Sequence, residues 1–144
     1  MKLYIRVVQV ILLAWFSLAV IGVSFGNTIL TLRDYDFTTV LFFGIYTVLV
    51  VLFFLKENIF KYVNAVLCFF WFLAQMMNFF ASPNGVANYN RIFSETHHIL
   101  PPSDTIAVPN TYHLVLQILI VLVFISLLVY CIRTRIKHVA ASEK

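Results

Sequence analysis

YVNAVLCFFWFLAQMMNFFA, residues 62–81, decides the class of this chain. The stretch carries no charge, and at about 1.5 Å per residue a helix of this length reaches about 30 Å, the thickness of a bilayer's hydrocarbon core. Its exceptional residues are Asn64, Cys68, Trp71, Gln75 and Asn78, separated by alternating steps of four and three. That spacing puts them on one helical face, while Phe69, Phe70, Phe72, Met76, Phe79 and Phe80 cover the rest. Amides in lipid need partners, so Asn64, Trp71, Gln75 and Asn78 are predicted to form a polar seam against neighbouring helices. Phe70 and Phe72 should face lipid.

Three more apolar runs surround this one, at residues 7–25, 38–55 and 113–132. The sequence therefore predicts an all-α membrane protein: one integral domain over residues 1–144, folded as an antiparallel bundle of four transmembrane helices. Composition agrees. The chain is 62% hydrophobic and 11% charged, too few charges to cover a water-soluble domain. The first run is long for the core of a cleaved signal peptide, so it counts as a span. Gly22 and Gly26 within and beside it form a Gly-x-x-x-Gly step that suits close helix approach, and Gln9, Ser17 and Ser24 mark a mildly polar stripe. Residues 26–37 are expected to be a short aqueous loop, and residues 56–61 a tight basic turn that makes its flanking helices antiparallel neighbours.

Orientation follows from Lys and Arg. Lys2, Arg6, Lys56, Lys61, Arg133, Arg135, Lys137 and Lys144 fall on one side of the four spans, and only Arg33 and Arg91 on the other. The positive-inside rule puts both termini in the cytoplasm of a plasma or inner membrane and both longer connections outside. A net charge of +4, confined to helix ends, is explained by topology and excludes nucleic acid as a partner. Cys68 and Cys131 lie in apolar runs toward the reducing side and read as small apolar residues.

The outer connection between the last two spans, residues 82–112, is the one long polar segment. Pro83, Pro101, Pro102 and Pro109 punctuate it, and residues 90–100 suit a short interfacial helix lying across the bundle mouth. Long connections of this kind in compact proteins are usually functional. His97, His98, His113 and Glu95 are ligand types for Zn or Cu, with Met76 and Met77 as soft donors for Cu(I), but no recognised ligand spacing is present. The alternative is structural: His98 pairs with Glu95 one turn away, and His113 joins Gln75, Asn78 and Gln117 in a hydrogen-bonded cluster, Gln117 lying level with Asn78.

No nucleophile, oxyanion donor or phosphate cradle appears, so the reading leans away from an enzyme, and no cofactor is specified. The expected function is that of a small non-catalytic polytopic protein. It would act through its outer face as an accessory subunit or immunity-type partner of another membrane protein, or by self-association within the bilayer. A Zn- or Cu-handling protein using the outer histidines is the alternative, and a small oligomeric channel or carrier the third.

Overall fold

The computed structural model describes residues 2–34, 36–77, 83–101, 103 and 105–142, with the side chains of 83 and 137–142 outside that description. Among the described residues the chain is mostly helical. Helices α1 (Lys2–Ile21), α2 (Phe37–Leu55), α3 (Glu57–Met77) and α5 (Thr111–Ser142) are the long ones. A strand pair, β1 (Val23–Phe25) and β2 (Thr28–Thr31), follows α1, and a short helix α4 (Pro83–Ile92) precedes α5. All four long helices are long and apolar enough to cross a membrane, α5 over Thr111–Ile136.

The relative directions of the helices follow from contacts at their ends. Glu57, in the first turn of α3, pairs with Lys2 at 3.2 Å and Arg6 at 3.7 Å, so α1 and α3 begin side by side. Lys61 donates to Thr134 Oγ1 at 2.8 Å, which brings the far part of α5 to that same end. At the opposite end, Trp15 Nε1 donates to the Tyr112 carbonyl at 3.1 Å and the two rings stack, joining the end of α1 to the start of α5. The molecule thus has a Glu57 end and a hairpin end. Residues from all four long helices share one apolar core. Along α5, Leu116, Ile120, Val123, Leu127 and Tyr130 recur at three- and four-residue steps and are buried, the stripe expected of a helix packed on one face.

The seam read from α3 is present as far as Trp71. Asn64, Cys68 and Trp71 are buried, and Phe70 is 61% exposed while Phe72 packs partly against the core. Trp71 is the hub of an aromatic cluster, with ring centroids 4.9 Å from Phe16, 4.8 Å from Phe42 and 5.4 Å from Tyr46. Asn78, Phe79 and Phe80 lie outside the described residues.

Three expectations need correction. The first apolar run does not stay helical to residue 25: Gly22 stops α1 with a φ of 73°, its N–H bonded to the Leu18 carbonyl at 2.8 Å. A left-handed glycine just past the last turn is a common helix stop, and a Cβ there would meet Arg33 Cβ at 2.8 Å. Gly26, φ 58°, opens a Gly-Asn hairpin turn between β1 and β2. The two glycines therefore make a stop and a turn, and neither sits inside a helix–helix contact. The aqueous loop is in part this hairpin. Second, the basic turn shrinks to Lys56 alone, because α3 starts at Glu57, whose charge suits a helix N-terminus. Third, the short helix lies at Pro83–Ile92, with Pro83 at its first position, where a missing N–H costs nothing. Residues 93–101 are turn and extended chain.

Candidate functional site

At the hairpin end, the hairpin, α4 and the described residues between 93 and 110 are bonded together into a cap over the start of α5. Asn110 is the centre of this arrangement. It is completely buried and immediately precedes α5. Its Oδ1 accepts the His113 backbone N–H at 2.9 Å, a helix N-cap bond, and lies 2.8 Å from His113 Nδ1. Its Nδ2 donates to Thr96 Oγ1 at 3.0 Å, and Thr96 Oγ1 donates to the Phe93 carbonyl at 2.7 Å. Because a backbone N–H can only donate, Asn110 Oδ1 is fixed as the acceptor. His113 Nδ1 must then carry the proton, which leaves Nε2 of the neutral ring as an acceptor.

Extended chain continues the stitching. His97 N–H donates to the Ile29 carbonyl at 2.8 Å, where Ile29 and Thr96 form a parallel bridge, and Thr111 N–H donates to the His97 carbonyl at 2.8 Å. The His97 ring closes the link, with Nδ1 2.6 Å from Thr111 Oγ1. Asn90 on α4 holds the other arm. Its Nδ2 donates to the carbonyls of Ser103 at 2.7 Å and Ile106 at 3.2 Å, and its Oδ1 accepts the Val108 N–H at 3.0 Å. Tyr89 packs its ring on Phe93, centroids 4.7 Å apart, and burial pushes its phenol up to about 12. Among the described residues the cap exposes large apolar side chains: Phe25 at the hairpin tip (70% exposed), Ile92, Ile99, Leu100 and Ile106.

Beneath the cap, α1, α2, α3 and α5 splay around a cavity of about 340 Å³. Its walls are mostly apolar and aromatic, with Phe16, Phe42, Phe70, Trp71 and Tyr112 prominent. Polar groups come from Asp34, Thr38, Thr39, Gln75 and His113. Asp34 is placed by the chain's return from the hairpin: its N–H donates to the Ala19 carbonyl at 2.9 Å, satisfying the end of α1. Its Oδ1 accepts the Asp36 N–H at 2.9 Å and its Oδ2 the Thr39 hydroxyl at 2.8 Å, while Asp36 caps α2 through Thr38 N–H at 3.0 Å.

The residues singled out from sequence are distributed between these places. Gln75 and His113 do share the cavity. Gln117 is half-buried beside the packed stripe of α5, and neither it nor Gln75 hydrogen-bonds to a described residue. The four-membered cluster is therefore not formed as drawn, and its fourth member, Asn78, is outside the described residues. Glu95 is exposed, and the partner of His98 is instead the Phe93 carbonyl, 2.9 Å from its Nε2. His97, His98 and His113 each satisfy a different partner, and the described residues contain no group of three or more His, Cys, Asp or Glu that could hold an ion. Met76 is half-buried and Met77 exposed.

Asn110, Asn90 and Asp34 were not anticipated. The signal for Asn110 is the Asn directly before an apolar helical run, a helix-start signature. Asp34 had none, since its role depends on the hairpin folding the chain back onto α1. Deeper in the bundle, Asn64 Nδ2 donates to Gln9 Oε1 at 3.2 Å and the Leu49 carbonyl at 3.3 Å, tying three helices together.

No protein-family model, curated protein or solved structure matches the chain.

Proposed function

We propose that this chain is a small non-catalytic membrane protein that works through its hairpin end as an accessory or immunity-type partner of another membrane protein. The four long helices cross the bilayer as one antiparallel domain. The Glu57 end and both termini face the cytoplasm, as the eight-to-two partition of Lys and Arg requires. The observation that carries the reading is the cap. A connection between two helices needs only a few residues, yet here a long segment is hydrogen-bonded into a fixed surface. That surface holds Phe25, Ile92, Ile99, Leu100 and Ile106 out of the core. Large apolar groups displayed on a fixed, otherwise polar surface are the usual mark of a contact site for another protein.

Photo-crosslinking in intact cell membranes tests this. A benzophenone side chain placed at Phe25 or at Ile99 is expected to give the same discrete heavier product, while one at Val48, exposed on the bundle flank, does not. Adducts only with lipid, or only with a second copy of the chain, would overturn the accessory reading.

A further inference from the structure

We infer that the cavity beneath the cap binds an amphiphilic primary amine, with the ammonium held at Asp34 and the apolar body among the aromatic side chains. Three observations converge. First, Asp34 presents a carboxylate to a largely apolar cavity, and no described Lys or Arg forms an ion pair with it. Its two hydrogen bonds with described residues, from Asp36 N–H and the Thr39 hydroxyl, come from neutral donors, and a carboxylate has about four acceptor positions.

Second, His113 presents a further acceptor. Asn110 Oδ1 accepts from His113 Nδ1–H, so the lone pair of the neutral ring is on Nε2, and His113 lines the same cavity. Gln75 adds an amide that can turn its oxygen inward, since it makes no hydrogen bond with a described residue. A ligand must therefore bring donors and positive charge. A carboxylate ligand would meet like charge, and a purely hydrocarbon chain would bury the Asp34 charge without a counter-charge.

Third, the walls suit the rest of such a molecule. Phe16, Phe42 and Trp71 line the cavity as an aromatic cluster, with the Phe16 and Phe42 centroids 4.8–4.9 Å from that of Trp71, a wall suited to an apolar body. The volume of about 340 Å³ admits a small ligand of one ring and a short chain. An ammonium of this kind occurs on free amphiphilic amines and on the phosphatidylethanolamine headgroup.

The test uses the full-length protein in phosphatidylcholine nanodiscs, with empty nanodiscs as baseline. Two probes of nearly equal size, 4-butylbenzylamine and 4-butylbenzyl alcohol, are titrated by calorimetry. The amine is expected to saturate one site and bind at least tenfold more tightly than the alcohol. Asp34→Asn, whose Oδ1 can still accept the Asp36 N–H and whose amide can donate to the Thr39 hydroxyl, should remove that preference. Ala74→Trp, at a wall residue with an exposed side chain, should remove binding of both probes. Repeating the titration with phosphatidylethanolamine in the disc identifies the source: weakened amine binding assigns the site to the lipid headgroup, and unchanged binding assigns it to a free amine. Equal affinity for amine and alcohol in the unaltered protein overturns the inference. So does undiminished amine preference in an Asp34→Asn variant with normal circular dichroism.

Discussion

Asn110 and Asn64 are both completely buried amides, and the molecule treats them differently. In the cap, Asn110 uses both ends of its side chain in bonds of 2.8–3.0 Å. In the bundle, Asn64 splits one N–H₂ group between two acceptors at 3.2 and 3.3 Å, and its Oδ1, like Gln9 Nε2, has no partner among the described residues. The cap is a polar construction whose backbone groups would otherwise need water, so each amide there replaces several lost bonds. The bundle is an apolar construction that helical backbone bonds and side-chain packing already complete. An amide inside it mainly fixes which helix faces meet. The two regions therefore differ in what a single polar residue contributes to stability.

The sharpest way to break this comparison is to truncate the amides one at a time and follow unfolding in mixed micelles. Asn110→Ala removes an N-cap, strands the His113 Nδ1–H and takes away the donor to the Thr96 hydroxyl, so a loss of about 2–4 kcal/mol is expected. Asn64→Leu should cost less, about 0.6–2 kcal/mol, the range for hydrogen bonds between membrane helices. Adding Gln9→Leu to it should recover part of that loss, because replacing both partners by apolar groups strands nothing. Equal losses at Asn110 and Asn64 would remove the distinction between the regions.

Gln75 sharpens the same contrast from the other side. The sequence places it in the seam, but it borders the cavity without a hydrogen bond to any described residue. Gln75→Leu is accordingly expected to change stability by less than about 0.5 kcal/mol, the usual range for a substitution that breaks no specific contact. A loss as large as that of Asn64→Leu would show that Gln75 bonds within the bundle after all.

A smaller effect is expected from Tyr89, whose burial in the cap pushes its phenol up to about 12. The unfolded chain releases this proton near 10, so the folded state binds more protons between the two values and stability falls as pH rises from about 10 to about 12. Tyr89→Phe should lack this component of the alkaline decline. An identical decline in both proteins would mean that Tyr89 is not held neutral by the cap.

How much of this was legible in the sequence follows the same division. Apolar length and helical spacing are local properties, so the four long helices and the buried face through Asn64, Cys68 and Trp71 could be read directly. Gly22 and Gly26 misled, because the same two residues suit a close helix contact and a helix stop followed by a hairpin, and only the backbone angles decide. The histidines misled for a related reason. Residue type marks His97, His98 and His113 as ligands, but whether they converge depends on Asn110, Thr111 and Phe93 offering each a separate partner. Asp34 was invisible because its position comes from a hydrogen bond to Ala19 across the hairpin.

Hydrogen exchange at three backbone amides tests most directly whether the cap is one fixed body seated on Asn110. The N–H groups of His97, Val108 and Thr111 bond to Ile29, Asn90 and His97 respectively, so they link the hairpin, α4 and the start of α5. In the unaltered protein all three are expected to be protected and to open together, and Asn110→Ala should speed all three by a common factor. Exchange at the rate of an unstructured peptide, or a change in Asn110→Ala confined to Thr111, would contradict the account of the cap as a single built surface.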